Sequence, residues 1–425
     1  MPETWPDAVD LEAIAARVGT PFYLYDAATL RRRIDEVKGV APGKLLQSRF
    51  AMKACSARKV LEVIRENDVW IDAVSGNEVL RAHAAGFPMG AVPPVVLLTA
   101  DVLRDNALEV IRRHGVLPNI GSPHMLQTLA NGGYRGPVAF RLNPGFGHGH
   151  VQACDTGGPS SKHGLWHEDD APVRREADRL GLPIVQLHAH IGTGPQIDEF
   201  NQNMIRLGHF FAERMRDYPQ AESVALGGGI PHPYRPDAAR IDLKELGRIL
   251  VSVQSEVSRA AGREIRVEIE PGRYFVAPAA VLVARVTDVK RTRSNEKGAG
   301  HLFTLVDAGF CDLVRPAMYG SYHHITIHGR SGGLEPTAVA GPLCESGDVF
   351  TRDAEELIEP RLLPEARPGD LLVLHDAGAY GAAMSSNYNS IGRVPQVWLE
   401  NGDTYLMSRR ETFEDIVRTE SFEPL

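Results

Sequence analysis

Apolar and polar positions along this 425-residue chain follow one rhythm up to about residue 275 and another beyond it. From about residue 45 to 275, short apolar runs alternate with amphipathic stretches. The strand-like runs are LLQSRFAMK (45–53), VWIDAV (69–74), VVLLT (95–99), VLPNI (116–120), VAFRLN (138–143), PIVQLHAHI (183–191), SVALG (223–227) and EIRVEIE (264–270). Eight such runs separated by helical patterns predict an α/β fold, a closed parallel (βα)8 barrel of the TIM type, in preference to an open doubly wound sheet. Ser56 is placed to open one helix whose Val60, Leu61 and Ile64 share a face. Ser75 and Glu78 read as an S-x-x-E capping box. Ser122-Pro123 reads as an N-cap followed by a first-turn proline.

Beyond residue 275 the period shortens to two. VLVARVTDV, HLFTLVDAG, TAVAGPL and LLVLHDAG alternate as strands do, and helical patterns are scarce. VWLENGDTYLM (397–407) predicts a hairpin, with Asn401-Gly402 as its turn. This half is expected to be a C-terminal, mainly-β domain of β-sandwich or Greek-key type. PFYLYD (21–26) precedes the barrel but reads as a strand of that β domain. The expected division is a barrel over 28–275 and a β domain over 1–27 and 276–425.

Composition narrows the partners. The chain carries 46 basic and 54 acidic residues, net -8, with the charges dispersed. No basic stripe tracks a phosphate backbone, so nucleic acid is not expected. The N-terminus, MPETWPDAVD, lacks a signal-peptide pattern. The longest apolar stretch, Phe275 to Val286, is short and broken by Pro278, so no membrane span is expected. Four cysteines without CxxC spacing suit a reducing cytoplasm. His148, His150, Cys154 and His163 match no zinc-finger spacing, and Gly145 to Gly164 reads as a mobile loop, so no metal site is expected.

Barrel enzymes work at the C-terminal ends of their strands. Lys53 ends the first run. Asp72 lies near the end of the second, Arg141 near the end of the fifth, and His190 at the end of the sixth. Gly227, Gly228 and Gly229 follow the seventh, and Glu270-Pro271-Gly272-Arg273 closes the eighth. Successive glycines let backbone N–H groups approach an anion, and Arg273 adds a charged fork. A phosphate position, a buried lysine and a carboxylate together point to pyridoxal phosphate. The lysine must be neutral to attack an aldehyde, and burial lowers its pKa. Glu270 is placed to keep a pyridine nitrogen protonated, and His190 to stack on the ring. His188, two residues earlier, is expected only to pack. Arg141 fits either the site or a structural ion pair. Glu78 and Ser75 fit capping better than chemistry.

Ten motifs run in order along nearly the whole chain: FAMKACS (50–56), IDAVSGNE (71–78), LNPGFGHGH (142–150), SKHGLW (161–166), HAHIGTG (188–194), LGGG (226–229), EPGRYFV (270–276), VDAGFCDLVRPAMYGSYHHI (306–325), GPLCESGDVF (341–350) and DAGAYGAAMSSNYNS (376–390). Together they resemble the alanine-racemase-like (fold type III) decarboxylases, and within them the diaminopimelate decarboxylases. The resemblance implies a barrel plus a β domain that completes the active site and the dimer interface, in a homodimer with shared sites. It implies decarboxylation of meso-2,6-diaminopimelate to L-lysine. It makes Lys53 similar to the Schiff-base lysine, with Asp72, Arg141, His190, Thr193, Gly227, Gly228, Gly229, Glu270, Gly272, Arg273 and Tyr380 around the cofactor. Arg273 and Tyr380 also match substrate contacts. Arg315 and Tyr319 resemble the groups that hold the distal carboxylate. Cys344 and Glu345 resemble a pair donated by the second subunit, the cysteine as proton donor and the glutamate as reader of the distal amine. The chain departs from the pattern at Thr193, where serine is usual, at Cys311, where asparagine is, and at Ile391-Gly392, where Arg-Pro is common. Cys311 and the changed segment at Ile391-Gly392 motivate one other reading, a decarboxylase of another diamino acid such as D-lysine or D-ornithine; a third, independent of them, is a non-catalytic cofactor-binding protein that kept the fold.

Overall fold

The computed structural model describes residues 5–147, 149, 155–194, 196–296 and 298–423. His148, His150 and Cys154 lie outside the described residues. The chain divides into two units: one holds Arg31–His232 and Arg240–Phe275, the other the residues up to Leu30, Pro233–Ala239 and the chain from Val276 onward. Among the described residues no helix is long and apolar enough to cross a membrane.

Strand β1 (Phe22–Asp26) belongs to the second unit. The first unit is built on β2 (Leu46–Ala51), β3 (Trp70–Ala73), β4 (Val96–Ala100), β5 (Leu117–Ile120), β6 (Val138–Asn143), β7 (Leu165–Trp166), β8 (Ile184–His188), β9 (Ser223–Ala225) and β10 (Arg266–Ile269). All the expected runs form strands. They pair in parallel in the order β2-β3-β4-β5-β6-β8-β9-β10, and β10 returns to β2 to close the barrel. The short β7 was not expected. It pairs with the end of β6 through Leu142↔Leu165 and Asn143↔Trp166, just past the stretch read as a loop. Described parts of that stretch are tied down: Asn143 donates to Gly158 O at 2.9 Å and accepts from Gly158 N at 2.8 Å.

Helix faces follow the apolar period, while their starts shift by a residue or two. Helix Arg58–Glu66 buries Val60, Leu61, Val63 and Ile64, but its N-cap is Ala57 and no side chain caps it. Ser75 caps helix Gly76–Ala84 by accepting from Glu78 N at 3.1 Å. Glu78 in turn accepts from Val74 N at 2.7 Å, one residue earlier than in the usual box. Helix His124–Asn131 has Pro123 at its N-cap, and Ser122 Oγ donates to Asp101 O at 2.9 Å instead.

Charged groups occupy the barrel interior. Arg49 on β2 is fully buried and donates to Glu268 Oε2 on β10 at 2.6 Å. Its remaining N–H groups reach the carbonyls of Pro94, Val95 and Ile71 at 2.7, 3.0 and 3.3 Å. Gln186 on β8 adds a hydrogen bond to the same Glu268 oxygen at 2.8 Å, and Arg266 reaches the other at 2.8 Å. The guanidinium carbons of Arg49 and Arg266 stand 4.7 and 5.1 Å from the Trp70 ring centroid. Burial alone would raise the Glu268 carboxyl, but the two arginines beside it hold it below its ordinary range.

The second unit adds β11 (Ala280–Arg291), β12 (Leu302–Val306), β13 (Ile325–Ile327), β14 (Glu335–Ala340), β15 (Arg361–Leu363), β16 (Leu371–Leu374), β17 (Gln396–Glu400) and β18 (Asp403–Ser408). These and β1 form one hydrogen-bonded sheet of nine strands in two limbs that share β11. The first half of β11 pairs with β1 and β16, and from Val286 onward it pairs with β12, with a register shift between Val286 and Asp288. PFYLYD contributes β1 to this unit, where it runs antiparallel to β11 and parallel to β17. Phe22, Leu24, Val281, Val283, Val373 and Val397 pack with Leu11 and Ile14 in its core. The β17–β18 hairpin turns at Asn401 (φ 54°) and Gly402 (φ 86°), the left-handed pair that matches strand twist.

Replacing Arg49 by methionine leaves Glu268 charged and buried without its main partner. We expect Arg49→Met to lower unfolding stability by about 3–5 kcal/mol, measured by chemical denaturation. The double variant Arg49→Met/Glu268→Gln should recover much of that loss, because the uncompensated charge is gone.

Candidate active site

The first unit gathers polar side chains at the C-terminal ends of its strands. Lys53 is the middle residue of a single 3-10 turn, Met52–Ala54, directly after β2. Its neighbours Met52 and Ala54 are buried, but Lys53 itself is exposed. This corrects the expectation of a buried lysine: the turn lifts the side chain off the end of the strand. Ala51 N donates to Pro271 O at 3.3 Å, which seats the segment after β10 alongside this turn. Gly272 allows that approach, since a Cβ there would stand 2.9 Å from Ala51 O.

Asp72, Thr99 and Asn119 form a chain across β3, β4 and β5. Thr99 Oγ1 donates to Asp72 Oδ1 at 2.6 Å and accepts from Asn119 Nδ2 at 3.1 Å. Burial, then the charge of Glu270, push the Asp72 carboxyl up to about 7, against the opposing pull of Lys53 and Thr99. Glu270 is also buried, but His188 Nε2 lies 2.9 Å from its Oε2. Burial would raise Glu270; the charge and hydrogen bond of His188 outweigh it and hold the carboxyl below its usual value. Arg141, 7% exposed on β6, has its pKa lowered by burial, with Asp101, Glu270 and Asp72 pulling the other way. Asp101 accepts from Gly164 N at 3.2 Å and lies 2.6 Å from His163 Nδ1, so His163 is a hydrogen-bond partner that ties down the segment before β7.

The glycines after β9 let main-chain segments approach more closely than any side chain would allow. A Cβ on Gly228 would lie 2.3 Å from Glu270 O, and one on Gly229 (φ +98°) 2.6 Å from Gly192 O. Gly227 sits against His190, which is half-buried and lies just beyond the end of β8. Thr193 and Arg273 are likewise half-buried, Arg273 opening the short helix Arg273–Val276.

The second unit holds the other expected residues. Arg315, 3% exposed, opens the helix Arg315–Tyr319, and Tyr319 closes it half-buried. Cys344 and Glu345 are exposed. Their loop is anchored by Asp348, which accepts from Leu343 N at 2.8 Å and Phe310 N at 2.7 Å. Asn389 Oδ1 accepts from Cys344 N at 3.3 Å. Tyr380 (φ 58°) and Asn389 (φ 55°) hold left-handed backbone that is costly for residues with a Cβ, and such strain concentrates at working sites.

The segment from residue 27 to 277 matches the family model described as the pyridoxal binding domain of pyridoxal-dependent decarboxylases. The diaminopimelate decarboxylase of Escherichia coli (strain K12) is 41% identical over 422 residues, covering 97% of this chain and 96% of that protein. That of Streptomyces coelicolor is 40% identical over 426 residues, covering 98% and 93%. The chain belongs to the diaminopimelate decarboxylase family. A crystal structure of a diaminopimelate decarboxylase superposes with TM-score 0.88 at 40% identity, covering 96% of this chain and 95% of that one. The Helicobacter pylori diaminopimelate decarboxylase, solved with L-lysine, superposes with TM-score 0.84 at 25% identity, covering 96% and 98%.

Pyridoxal phosphate is the cofactor of this pyridoxal-dependent family. It asks for a carboxylate at its pyridine nitrogen, an anion cradle and a lysine amine. Glu270 Oε1 is buried and has no hydrogen-bond partner among the described residues. The Gly228–Gly229 turn and exposed Lys53 supply the other two requirements, so the residues fit the group.

One group was misjudged from the sequence. His188 and His190 are two apart, and residues two apart on a strand share a face. The expectation that only His190 faces inward was therefore wrong. β8 ends at His188, whose ring is buried against Glu270, and the chain has left the strand by His190. The signal was available: Gln186 and His188 on β8 repeat at the same interval as Glu268 on β10 and Glu270 just after it. Two of the residues that depart from the family pattern, Cys311 and Gly392, are closely packed. Cys311 is buried at 1% exposure, and burial together with Asp312 pushes its thiol up to about 12. Gly392 lies where a Cβ would meet Glu411 O at 2.6 Å.

The raised Asp72 carboxyl gives a pH signature. Its folded pKa stands above its unfolded value, so ionising it costs stability progressively as pH rises from about 4 toward 7. Relative to wild type, Asp72→Asn should therefore gain melting temperature between pH 5 and pH 8. A difference that stays flat across that range would rule out the raised carboxyl.

Proposed function

We propose that this chain decarboxylates meso-2,6-diaminopimelate to L-lysine and carbon dioxide, the closing step of lysine synthesis. The observation that carries the choice of substrate is Arg315, a guanidinium buried to 3% exposure in a chain about 40% identical to diaminopimelate decarboxylases. A directional arginine–carboxylate pair, once desolvated, is costly to leave unmade. Diaminopimelate has a distal carboxylate to meet it; simple diamines and ornithine do not.

When bound, pyridoxal phosphate supplies an aldehyde and a ring that takes up the electron pair left as carbon dioxide departs. In this reading Lys53 Nζ is the amine that holds the cofactor until substrate takes its place. Glu270 Oε1 keeps a proton at the pyridine nitrogen, and His188 keeps Glu270 ionised to do so. The backbone N–H groups of Gly227, Gly228 and Gly229 receive the phosphate, with Thr193, Gly272 and Arg273 beside them. Asp72 and Arg141 would balance charge around the cofactor, and His190 would bound its ring. Tyr380 contacts cofactor and substrate. Arg315 and Tyr319 hold the distal carboxylate. Cys344 and Glu345, exposed on their loop, serve the site of a second copy in a homodimer. There Cys344 delivers the proton to the α-carbon and Glu345 reads the distal amine. A cytoplasmic setting suits Cys55, Cys311 and Cys344, which form no disulfide.

Carbon dioxide release should be followed from meso-diaminopimelate, D-lysine, L-lysine and L-ornithine in parallel, with pyridoxal phosphate supplied. Strong selectivity for diaminopimelate is expected, and preference for another substrate would overturn the assignment. Lys53→Ala should abolish measurable turnover. Arg315→Ala should raise KM for diaminopimelate about 30-fold or more; an unchanged KM would remove Arg315 from the substrate.

A further inference from the structure

Arg315 is held by its own unit in a way that the proposed chemistry does not use. Its Nη1 lies 2.8 Å from His323 Nε2, and its Nη2 donates to Ser321 Oγ at 3.2 Å. The ring of Tyr234, from the Pro233–Ala239 segment of the same unit, covers the guanidinium at 4.7 Å and meets the His323 ring edge-on at 5.4 Å. His323 is buried, and its other nitrogen, Nδ1, lies 2.8 Å from His375 O. A carbonyl only accepts, so Nδ1 carries a proton; a guanidinium only donates, so Nε2 is bare. The imidazole is thereby a two-ended strut between a main-chain carbonyl and Arg315.

The sheet explains why the strut is in place. β13 and β16 are antiparallel with Ile325 opposite Leu374, so His323, just before β13, and His375, just after β16, meet at the same end of the ladder. The helix Arg315–Tyr319 closes through Gly320 (φ 58°), and Ser321 N returns to Arg315 O at 3.3 Å. That turn brings Ser321 and His323 back to the guanidinium of the residue that opened it.

We propose that His323 is a positioning residue for substrate selection: its bare Nε2 fixes the orientation in which Arg315 meets the distal carboxylate. The inference rests on the assignment of Arg315 to that carboxylate. A flexible arginine would have to give up side-chain freedom each time it bound, whereas one already fixed does not. Loss of His323 Nε2 therefore acts on affinity for carboxylate-bearing ligands and spares the bond-breaking step.

The test uses holoenzyme. His323→Asn keeps an amide donor for His375 O but is too short to accept from Nη1; His323→Gln extends an acceptor toward the Nε2 position. Loss of one carboxylate from diaminopimelate leaves L-lysine, whose remaining carboxylate is the distal one, and cadaverine has none. His323→Asn should raise KM for diaminopimelate and weaken L-lysine binding, read by calorimetry, each about tenfold. Its kcat and its cadaverine affinity should stay within about twofold of wild type, and His323→Gln should restore most of the loss. Adding His323→Asn to Arg315→Ala should weaken L-lysine no further. Equal losses in the Asn and Gln variants, or a fall in kcat with KM unchanged, would overturn the positioning role. If His323→Asn does not fold, His323→Phe, which keeps the ring volume without the acceptor, gives the same comparison. Unchanged L-lysine affinity in Arg315→Ala would instead overturn the reading of Arg315 itself, so the two failures are separable.

Discussion

Glu268 on β10 and Glu270, one residue past its end, both point into the barrel, where an ionised carboxylate without compensation is held at a cost of several kcal/mol. Much else in the interior answers that demand. Arg49, Arg266 and Gln186 surround Glu268. Above it His188 meets one oxygen of Glu270 and leaves the other buried without a partner among the described residues. The lower carboxylate is fully satisfied and so is structural. The upper one is satisfied on one side only, which fits a group whose second partner arrives with the cofactor.

The same demand separates two acids that feel each other's charge. Asp72 and Glu270 are both buried, yet burial and the charge of Glu270 drive Asp72 upward while His188 holds Glu270 down. Environments that push neighbouring carboxyls apart are a common mark of catalytic sites. Here they allow one acid to remain charged at neutral pH while the other sits near its midpoint.

Much of this was legible in the residue pattern. Alternating apolar runs forecast the eight barrel strands, because each strand needs a buried run and each helix an amphipathic face. Asn401-Gly402 forecast its hairpin because few other residues adopt its backbone angles. Helix starts were less legible: Ser56 and Ser122 look like caps, but a capping hydrogen bond depends on the local backbone path, and Ser122 spends its hydroxyl on Asp101. The burial of Lys53 was misread because strand membership says nothing about a 3-10 turn that begins one residue before it. His188 was misread through the strand period itself. The hold of His323 and Ser321 on Arg315 could not be read at all, since it requires knowing that β13 pairs with β16.

The chain leaves the barrel unit after His232, lends Pro233–Ala239 to the sheet unit, and returns at Arg240. With the boundaries after Leu30 and Phe275, it passes between the units four times. A gene segment for residues 31 to 275 would carry Tyr234 away from the arginine and histidine it packs on. Recombination can shuffle a domain cleanly only where its ends are its sole ties to the rest of the chain. The seven residues between Pro233 and Ala239 work against such exchange, binding the ancestry of the barrel to that of the sheet.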